Sequence, residues 1–534
     1  MIARACPGGY PAHDPTDGAL ILINAIAPPW ANPRQINPKV EQKEQEDTHH
    51  DGDHPRDRVA LGRKKKLHLG MLSAIVVGSM VGAGVFSLPQ NMANGAGPQA
   101  IMIGWGITAV GMLALVLVYR ALATRRPELD AGPYAYARAG FGNFLGFNSA
   151  WGYWLSAWIG NVSYAVVLFS ALAYFVPVFG DGNTWQAVVG ASVVLWAIHF
   201  LILGGVRQAA AVNLITTVAK IAPIVLFVAV AVVAFKMDTF TLDLSGAGNA
   251  DLGSVMNQVK STMLVTLWVF IGIEGASVES SRAEHRADIG RATVIGFLTC
   301  LALYALVSLL SAGIMTQPEL AGLKNPSMAG VLEHVVGPWG AVVINIAVVV
   351  SVLGAFLAWT LLAAEIPFAA AKDGTMPRFF AGENDKGVPA TSLWITNGLV
   401  QVFLIVTLFA QSTYQALFYI ASSAILVPYV FSGAFAAKLA LTGESYRPGE
   451  SRLGALFVGL LATVYGLWLI YAAGPTYIFM CAMLYAPGIL VYMKARQEQG
   501  GRAFTAVEAL IAVGLVVAGI AAAYLIWHGD ISPL

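Results

Sequence analysis

The feature that most constrains this chain is a series of long, continuous apolar segments. A bilayer core of about 30 Å is crossed by about 20 apolar residues in a helix. Because the apolar residues are continuous and do not alternate with polar ones, the pattern predicts helices and excludes a barrel. About thirteen transmembrane helices of an all-α membrane protein are therefore expected. The segments are 69–90, 100–120, 144–176, 185–204, 212–235, 259–281, 289–313, 339–370, 391–410, 413–438, 453–473, 476–493 and 504–527.

The distribution of charge separates the first residues from the rest of the chain. Charged residues make up only 11% of the 534 residues, and 19 of the 61 lie within residues 1–66. A soluble domain carries about 25% charged residues, so the remainder cannot be a soluble enzyme. The composition also lacks the basic patch that nucleic-acid binding requires. Three cysteines, Cys6, Cys300 and Cys481, exclude a disulfide framework.

Residues 1–66 are rich in Pro, Asp, Glu, Gln and His, a composition that predicts a disordered tail. The cluster from His49 to His54 contains metal-ligand residue types. No second cluster fixes a coordination geometry, so a solvated polar tail is the preferred interpretation and no metal is predicted. We expect three regions: the tail 1–66, a ten-helix transport core 67–440 and three appended helices in 441–534.

The positions of Lys and Arg predict the orientation in the membrane, because these residues are enriched in cytoplasmic loops. If the tail with its basic run Arg63–Lys66 is cytoplasmic, the loops on the same side contain 17 Lys and Arg. The loops on the other side contain only 3, namely Lys236, Lys260 and Lys324. The N-terminus is therefore expected in the cytoplasm, and a thirteenth helix places the C-terminus outside.

Two of the thirteen segments carry helix-breaking glycines near mid-depth. They are GSMVGAGVFSLP (Gly78–Pro89) in the first segment and WVFIGIEGASVESS (Trp268–Ser281) in the sixth. Small residues also allow helices to pack closely, and for a single glycine-rich segment close packing would be the preferred interpretation. Interruptions at matching positions, five helices apart, are typical of transporters built from two inverted repeats. We therefore expect segments 1–5 and 6–10 to be the two halves.

Such interruptions leave backbone groups unpaired inside the membrane. The second half of a broken helix presents N–H groups and a positive dipole end, which suit a carboxylate. We expect this position near Ala83, Gly84 and Val85. The end of the first half of segment 6 presents carbonyl groups near Phe270 and Ile271, which suit an ammonium group. Together the two breaks predict a receptor for the head group of an amino acid.

Three of the charged residues within the predicted spans are candidates for a functional role. Glu274 lies in the middle of segment 6, and a carboxylate at that depth is functional by default. Lys220 in segment 5 is expected to face the interior, where its charge could replace a sodium ion. Glu365, nearer the end of segment 8, has a structural and a gating role as equal alternatives. Glu274, Lys220 and Glu365 are the candidate coupling or gating residues.

Aromatic and polar side chains complete the candidate site. Trp268 precedes Glu274 by six residues, and Trp359 lies in segment 8. An aromatic face attracts a guanidinium or ammonium group by about 2 kcal/mol when both are desolvated. An acid beside aromatic faces therefore predicts a cationic side chain on the substrate. Ser156 and Asn161 in segment 3 add polar contacts, with helix packing as an equal alternative.

These segments resemble the amino acid–polyamine–organocation superfamily, and within it the basic amino acid/polyamine antiporters. The resemblance rests on four stretches in register: Gly78–Pro98, Ala131–Gly142 with Trp154–Asn161, Trp268–Val278 and Ala358–Pro377. It implies the five-plus-five inverted repeat called the LeuT fold. By resemblance, the residues facing the substrate are Met80, Ala83, Gly84, Ser156, Ala157, Asn161, Trp268, Ile271, Glu274 and Trp359.

The resemblance also narrows the activity. In arginine/agmatine relatives the position of Ala83 carries a hydroxyl and that of Glu365 an uncharged amide, so this chain departs from their pattern. The thirteenth helix and the segment 8 motif resemble arginine/ornithine antiporters. The implied function is arginine/ornithine exchange in the bacterial inner (plasma) membrane. A proton-coupled lysine or general basic amino-acid permease is the alternative, and an amino-acid-sensing receptor is the alternative of another class.

The expected partners follow from this function. They are basic amino acids, with polyamines as an alternative, membrane lipid and a second copy of the chain in a homodimer. No nucleic acid and no cofactor is expected. A membrane enzyme is disfavoured because the spans contain no metal-ligand cluster and no activated nucleophile arrangement.

Overall fold

The apolar segments form helices whose ends lie within a few residues of the predicted ones. The computed structural model describes residues 69–129, 132–205, 209–274, 286–409 and 413–531. The predictions for the tail 1–66, including the His49–His54 cluster, and for the second half of segment 6 lie outside the described residues. The helices are α1 (Leu69–Met80), α2 (Leu88–Ala93), α3 (Pro98–Arg125), α4 (Pro133–Phe141), α5 (Asn143–Ala173), α6 (Trp185–Leu203), α7 (Ala209–Ala234), α8 (Met237–Thr241), α9 (Val255–Trp268), α10 (Arg286–Ala312), α11 (Gln317–Ala321), α12 (Ser327–Val336), α13 (Pro338–Lys372), α14 (Ala390–Val406), α15 (Thr413–Ala424), α16 (Leu426–Thr442), α17 (Leu453–Glu498) and α18 (Ala506–His528).

The helix starts follow from local sequence. Proline occupies the first position of α3, α4 and α13, where its missing N–H would have no partner in the helix. Ser254 caps α9 by accepting a hydrogen bond from the N–H of Asn257 at 3.3 Å. At α18, Thr505 and Glu508 form a reciprocal capping box. These local signals set the residue at which each of these helices begins.

The number of spans depends on how broken helices are counted. Among the described residues, nine helices are long and apolar enough to cross a membrane, or ten if the bent pair Leu72–Met80 and Gly84–Ala93 is one span. Helix α17 has 46 residues and is interrupted at Gly474, where φ is 76°. At 1.5 Å per residue its two parts, residues 453–473 and 475–498, are about 32 Å and about 36 Å long, and each is long enough to cross a bilayer core. Its length suits the two predicted segments, and the total of thirteen stays a prediction.

Helices at four of the five equivalent positions in the two predicted halves pack against each other. Segment 1 contacts segment 6 through α2 and α9, and segment 2 contacts segment 7 through α3 and α10. Segment 3 contacts segment 8 through α5 and α13, and segment 4 contacts segment 9 through α6 and α14. Elements near a two-fold axis contact their own counterparts, so this pattern is the one that an inverted repeat produces. The breaks in segments 1 and 6 consequently meet near the centre of the bundle.

Contacts between loops agree with the predicted alternation of the chain across the membrane. Each of these contacts joins two loops that the basic residues place on the same side. On the side rich in Lys and Arg the pairs are Arg125–Glu450, Arg138–Asp373 and Lys386–Gly204. On the other side they are Gln99–Leu244, Lys236–Gly313 and Lys324–Asp181. The proposed regional boundary between residues 440 and 441 falls inside α16 and stays a prediction.

Candidate functional site

The first break separates α1 from a 3-10 turn, Gly84–Ser87, that leads into α2. The two parts of this span are bent by 46°. The N–H groups of four successive residues, Gly82 to Val85, donate no hydrogen bond to any acceptor among the described residues. They are buried, and they lie at the start of the second half of the span. This geometry can bind a carboxylate through the backbone.

The second break begins where α9 ends at Trp268, and the backbone turns through residues 269–274. Gly272 has a φ of 104°, a conformation that side chains with a Cβ rarely adopt. The sequence predicts that the carbonyls of Phe270 and Ile271 are the acceptors for an ammonium group. The Phe270 oxygen accepts a hydrogen bond from the N–H of Ile273 at 3.2 Å. The Ile271 oxygen accepts none within the described part of the chain and can accept an ammonium group.

The two breaks are in direct contact. The Ser79 hydroxyl donates a hydrogen bond to the Gly272 carbonyl at 3.2 Å. A Cβ placed on Gly272 would lie 2.9 Å from the Ser79 oxygen and 3.3 Å from Cζ2 of Trp359. A Cβ placed on Gly84 would lie 2.8 Å from Cδ1 of Trp268. Glycine at these positions therefore lets the backbones and both indole rings approach each other.

The aromatic side of the site comes from several helices. The Trp268 ring stacks on Phe418 with ring centroids 5.9 Å apart and also contacts Tyr164 at 5.9 Å. Gly160 on α5 faces the far end of the same indole, since its Cβ would lie 3.3 Å from Cη2. Trp359 on α13 is 9% exposed and borders the second break. Two indole faces thus flank the turn that carries Glu274.

Glu274 is buried, with 1% of its surface exposed, two residues beyond Gly272. One of its carboxylate oxygens accepts a hydrogen bond from the Tyr429 hydroxyl at 2.8 Å. The Tyr153 hydroxyl on α5 is a second hydrogen-bonding neighbour. The acid is therefore held by phenols from segments 3 and 10, close in the chain to the glycine that packs against Trp359.

Lys220 on α7 is connected to the first break. Its side chain is 2% exposed, and Nζ donates to the Gly78 carbonyl at 3.3 Å. In an unbroken helix that carbonyl would accept from the N–H of Gly82, four residues later. The break removes this donor, and the lysine takes its place. Lys220 thereby stabilises the last turn of α1 in its interrupted form.

The remaining predicted residues occupy different positions. Met80, Ala83 and Val85 are buried in or beside the first break, and Ile271 lies in the second.

On α5, Ala157 lies on the face formed by Tyr153, Gly160 and Tyr164, at helical spacing. The Asn161 amide donates to the Thr360 hydroxyl at 3.3 Å, next to Trp359. Ser156 is buried, and its hydroxyl has no hydrogen-bond partner among the described residues.

Glu365 is the candidate that the structure places apart from the breaks. It lies on α13 six residues beyond Trp359, and its side chain is exposed. Lys220, Glu274 and Trp359 thus lie at the two breaks, whereas Glu365 lies farther along α13 with an exposed side chain. A gating role for Glu365 stays a prediction.

Several residues of the site have no signal in the sequence. Tyr429 and Tyr153 reach Glu274 from helices far away in the chain, and Ser79 and Phe418 contact the second break in the same way. Tyrosine and serine are common in membrane helices, so only their three-dimensional positions distinguish them. In the parts of the chain that the structure describes, no group of three or more His, Cys, Asp or Glu is close enough to hold a metal ion.

The chain is similar in sequence to known membrane transporters. A family model described as amino acid permease matches residues 69–517. The chain is 56% identical over 472 residues to an arginine/ornithine antiporter of Pseudomonas aeruginosa, covering 87% of this chain and 98% of the relative. It is 49% identical to a putative arginine/ornithine antiporter of Escherichia coli (strain K12), covering 87% and 99%. An arginine/agmatine antiporter of Chlamydia pneumoniae is 42% identical, covering 86% and 96%.

A solved structure shares the architecture. The crystal structure of MhsT in complex with L-phenylalanine superimposes with a TM-score of 0.53, covering 77% of this chain and 99% of MhsT. At 15% identity the similarity shows the fold alone. It confirms the predicted all-helical, LeuT-type fold with interrupted helices.

Proposed function

This chain belongs to the amino acid permease family, and on that premise we propose that it is an antiporter that exchanges arginine for ornithine across the bacterial inner membrane. The observation that carries the proposal is the meeting of the two breaks beside two indole rings and one buried acid. The 56% identity to an arginine/ornithine antiporter supports the choice of substrate pair.

The proposed binding mode uses each part of the site. The substrate carboxylate accepts hydrogen bonds from the N–H groups of Gly82 to Val85, and the α-ammonium group donates to the Ile271 carbonyl. The guanidinium group of arginine, or the side-chain ammonium of ornithine, lies against Trp268 and Trp359 with Glu274 nearby. Cation–π attraction of about 2 kcal/mol per desolvated ring favours these cationic side chains over neutral ones.

One-for-one exchange is compatible with the charges of the two substrates. Arginine and ornithine each carry about one net positive charge at pH 7, so one-for-one exchange moves no net charge and is driven by the two gradients. The loaded carrier switches readily between its inward-open and outward-open states. The empty carrier switches slowly, because Glu274 then has no cationic partner. The proton-coupled basic amino-acid permease remains the alternative, because Glu274 could exchange a proton in the empty carrier.

Uptake of labelled arginine into proteoliposomes tests the proposal. Vesicles preloaded with ornithine are expected to take up arginine at least about 10-fold faster than empty vesicles, whatever the pH gradient. A competition series with ornithine, lysine, agmatine, cadaverine and putrescine should place ornithine first. Rapid uptake into empty vesicles that follows a pH gradient would contradict exchange and select the permease. Competition by agmatine stronger than by ornithine would overturn the proposed pair.

We expect the exchange to be independent of sodium because Lys220 already supplies a positive charge next to the first break. Replacing Na⁺ by K⁺ should change the rate by less than about twofold, since screening by the two salts is equal. Lys220→Met should lower the rate in both salts by removing the donor to Gly78, whereas Lys324→Met, an exposed lysine in a loop, should not. A sodium requirement in the unmodified protein would refute this role.

The proposed orientation rests on the grouping of loops by contact and by charge. The side that holds Arg125, Arg138 and Lys386 is rich in Lys and Arg, so we assign it to the cytoplasm. This assignment places the N-terminus in the cytoplasm and the C-terminus outside. A homodimer and surrounding lipid complete the proposed environment.

A further inference from the structure

A groove of about 670 Å³ lies between α3, α16 and α17, away from the two breaks. Its walls are apolar and include Leu117 and Ala121 of α3, Leu439 of α16 and Val458 of α17. The groove opens at the end of the bundle that carries the basic loops. Large apolar side chains beside it, Leu441, Leu453 and Phe457, are 65 to 77% exposed. The walls therefore continue into a surface that faces lipid.

Three arginines line the groove, namely Arg120, Arg125 and Arg447, together with the single acid Glu450. Arg125 is bound to Glu450 at 2.5 Å and lies 3.7 Å from the centre of the Tyr446 ring. This guanidinium holds the pKa of the Glu450 carboxyl below its usual range, so the pair is charged at neutral pH. Arg447 donates its backbone N–H to Glu450 at 3.1 Å, and its positive charge also lowers the pKa of that carboxyl. With three arginines and one glutamate, the lining of the groove has an excess of positive charge.

The position of Arg120 is fixed by packing and by depth. Its stem lies against Gly290 of α10, where an added Cβ would be 2.6 Å from Cγ and Cδ. Arg120 lies five residues, about 8 Å, before the end of α3. The 28 residues of α3 extend over about 42 Å, so its end reaches beyond a hydrocarbon core of about 30 Å. This places the guanidinium at the depth of the lipid headgroups and the apolar walls at the depth of the acyl chains.

We propose that this groove binds a phospholipid with an anionic headgroup. The phosphate contacts the guanidinium groups of Arg120 and Arg447, and one acyl chain lies along Leu117, Ala121 and Val458. Basic pockets between transmembrane helices on the cytoplasmic side are suited to such headgroups. The lipid is preferred over a soluble anion because the apolar walls would otherwise have no partner at membrane depth.

Native mass spectrometry of the purified full chain tests the proposal. The probes are phosphatidylglycerol and phosphatidylcholine with identical acyl chains, together with glycerol 3-phosphate and inorganic phosphate. Each arginine near the headgroups contributes about a fivefold gain in affinity, so phosphatidylglycerol should bind about 25-fold more tightly than phosphatidylcholine. Arg120→Gln and Arg447→Gln should each lower its affinity about fivefold, and the double variant about 25-fold.

Two further variants separate a specific site from general attraction. Arg378→Gln removes an exposed arginine outside the groove and should leave lipid binding unchanged. Ala455→Phe keeps every charge but fills the groove, and should displace the lipid. Folding is checked by the thermal unfolding midpoint of each variant. Equal binding of the two lipids, or loss in Arg378→Gln equal to that in Arg120→Gln, would overturn the site. Binding of glycerol 3-phosphate as tight as that of phosphatidylglycerol would overturn the lipid as ligand.

Discussion

Replacing Glu274 by glutamine is expected to lower the exchange of arginine about 10- to 100-fold. The carboxyl group is buried two residues beyond Gly272, whose position packs against Trp359, and glutamine keeps its shape while removing its charge. A hydrogen bond to a charged group contributes about 1.5–3 kcal/mol, which corresponds to this range of affinity. The measurement is uptake of labelled arginine into proteoliposomes preloaded with ornithine, at several arginine concentrations.

Two matched variants define what this result means. Tyr429→Phe removes the hydroxyl that donates to Glu274 but keeps the negative charge, so uptake should fall only about 2- to 10-fold. Glu333→Gln makes the same chemical change at an exposed acid on α12 and should have no effect. Wild-type affinity and rate in Glu274→Gln would show that the buried acid does not face the substrate.

Gly272→Ala is expected both to destabilise the protein and to reduce exchange more than 10-fold. At a φ of 104° a Cβ costs about 1–2 kcal/mol. The new methyl group would also lie 2.9 Å from the Ser79 backbone oxygen, which cannot rotate away as a side chain can. The two breaks must therefore separate, and Trp359 is displaced with them. The thermal unfolding midpoint and the exchange rate measure the two effects.

The control for this variant is the same substitution inside a regular helix. Gly398 lies in α14, and a Cβ there would have no atom within 4 Å. Gly398→Ala should therefore be neutral or stabilise the protein by up to about 1 kcal/mol, because alanine favours a helix more than glycine does. If Gly272→Ala unfolds and transports like Gly398→Ala, the contact between the breaks is not needed for exchange.

The fold was predictable from the sequence because membrane insertion depends on a local property. An apolar segment of sufficient length must form a helix in lipid, whatever its neighbours are. The segment predicted at 100–120 accordingly forms α3, and the one at 144–176 forms α5. The first break was also predictable, since Gly82 and Gly84 weaken the helix within one turn.

The partners across the site were not predictable in this way. Glu274 and Tyr429 are 155 positions apart, and Lys220 and Gly78 are 142 apart. No periodic pattern connects residues at such distances, and their contact depends on how the helices pack. Glu365 illustrates the opposite case, because the acid is prominent in the sequence but its side chain lies away from the breaks.

The order of hydrophobic and basic residues along the chain thus determined the helices, their alternation across the membrane and the two glycine-rich interruptions, each of which depends on neighbouring residues. Only the tertiary structure decided which side chains satisfy the interrupted backbone, which phenols hold the buried acid and where arginines line a groove with apolar side chains. The physical reason is that hydrogen bonds and packing act over a few ångströms in space, and helix packing brings distant residues within that range.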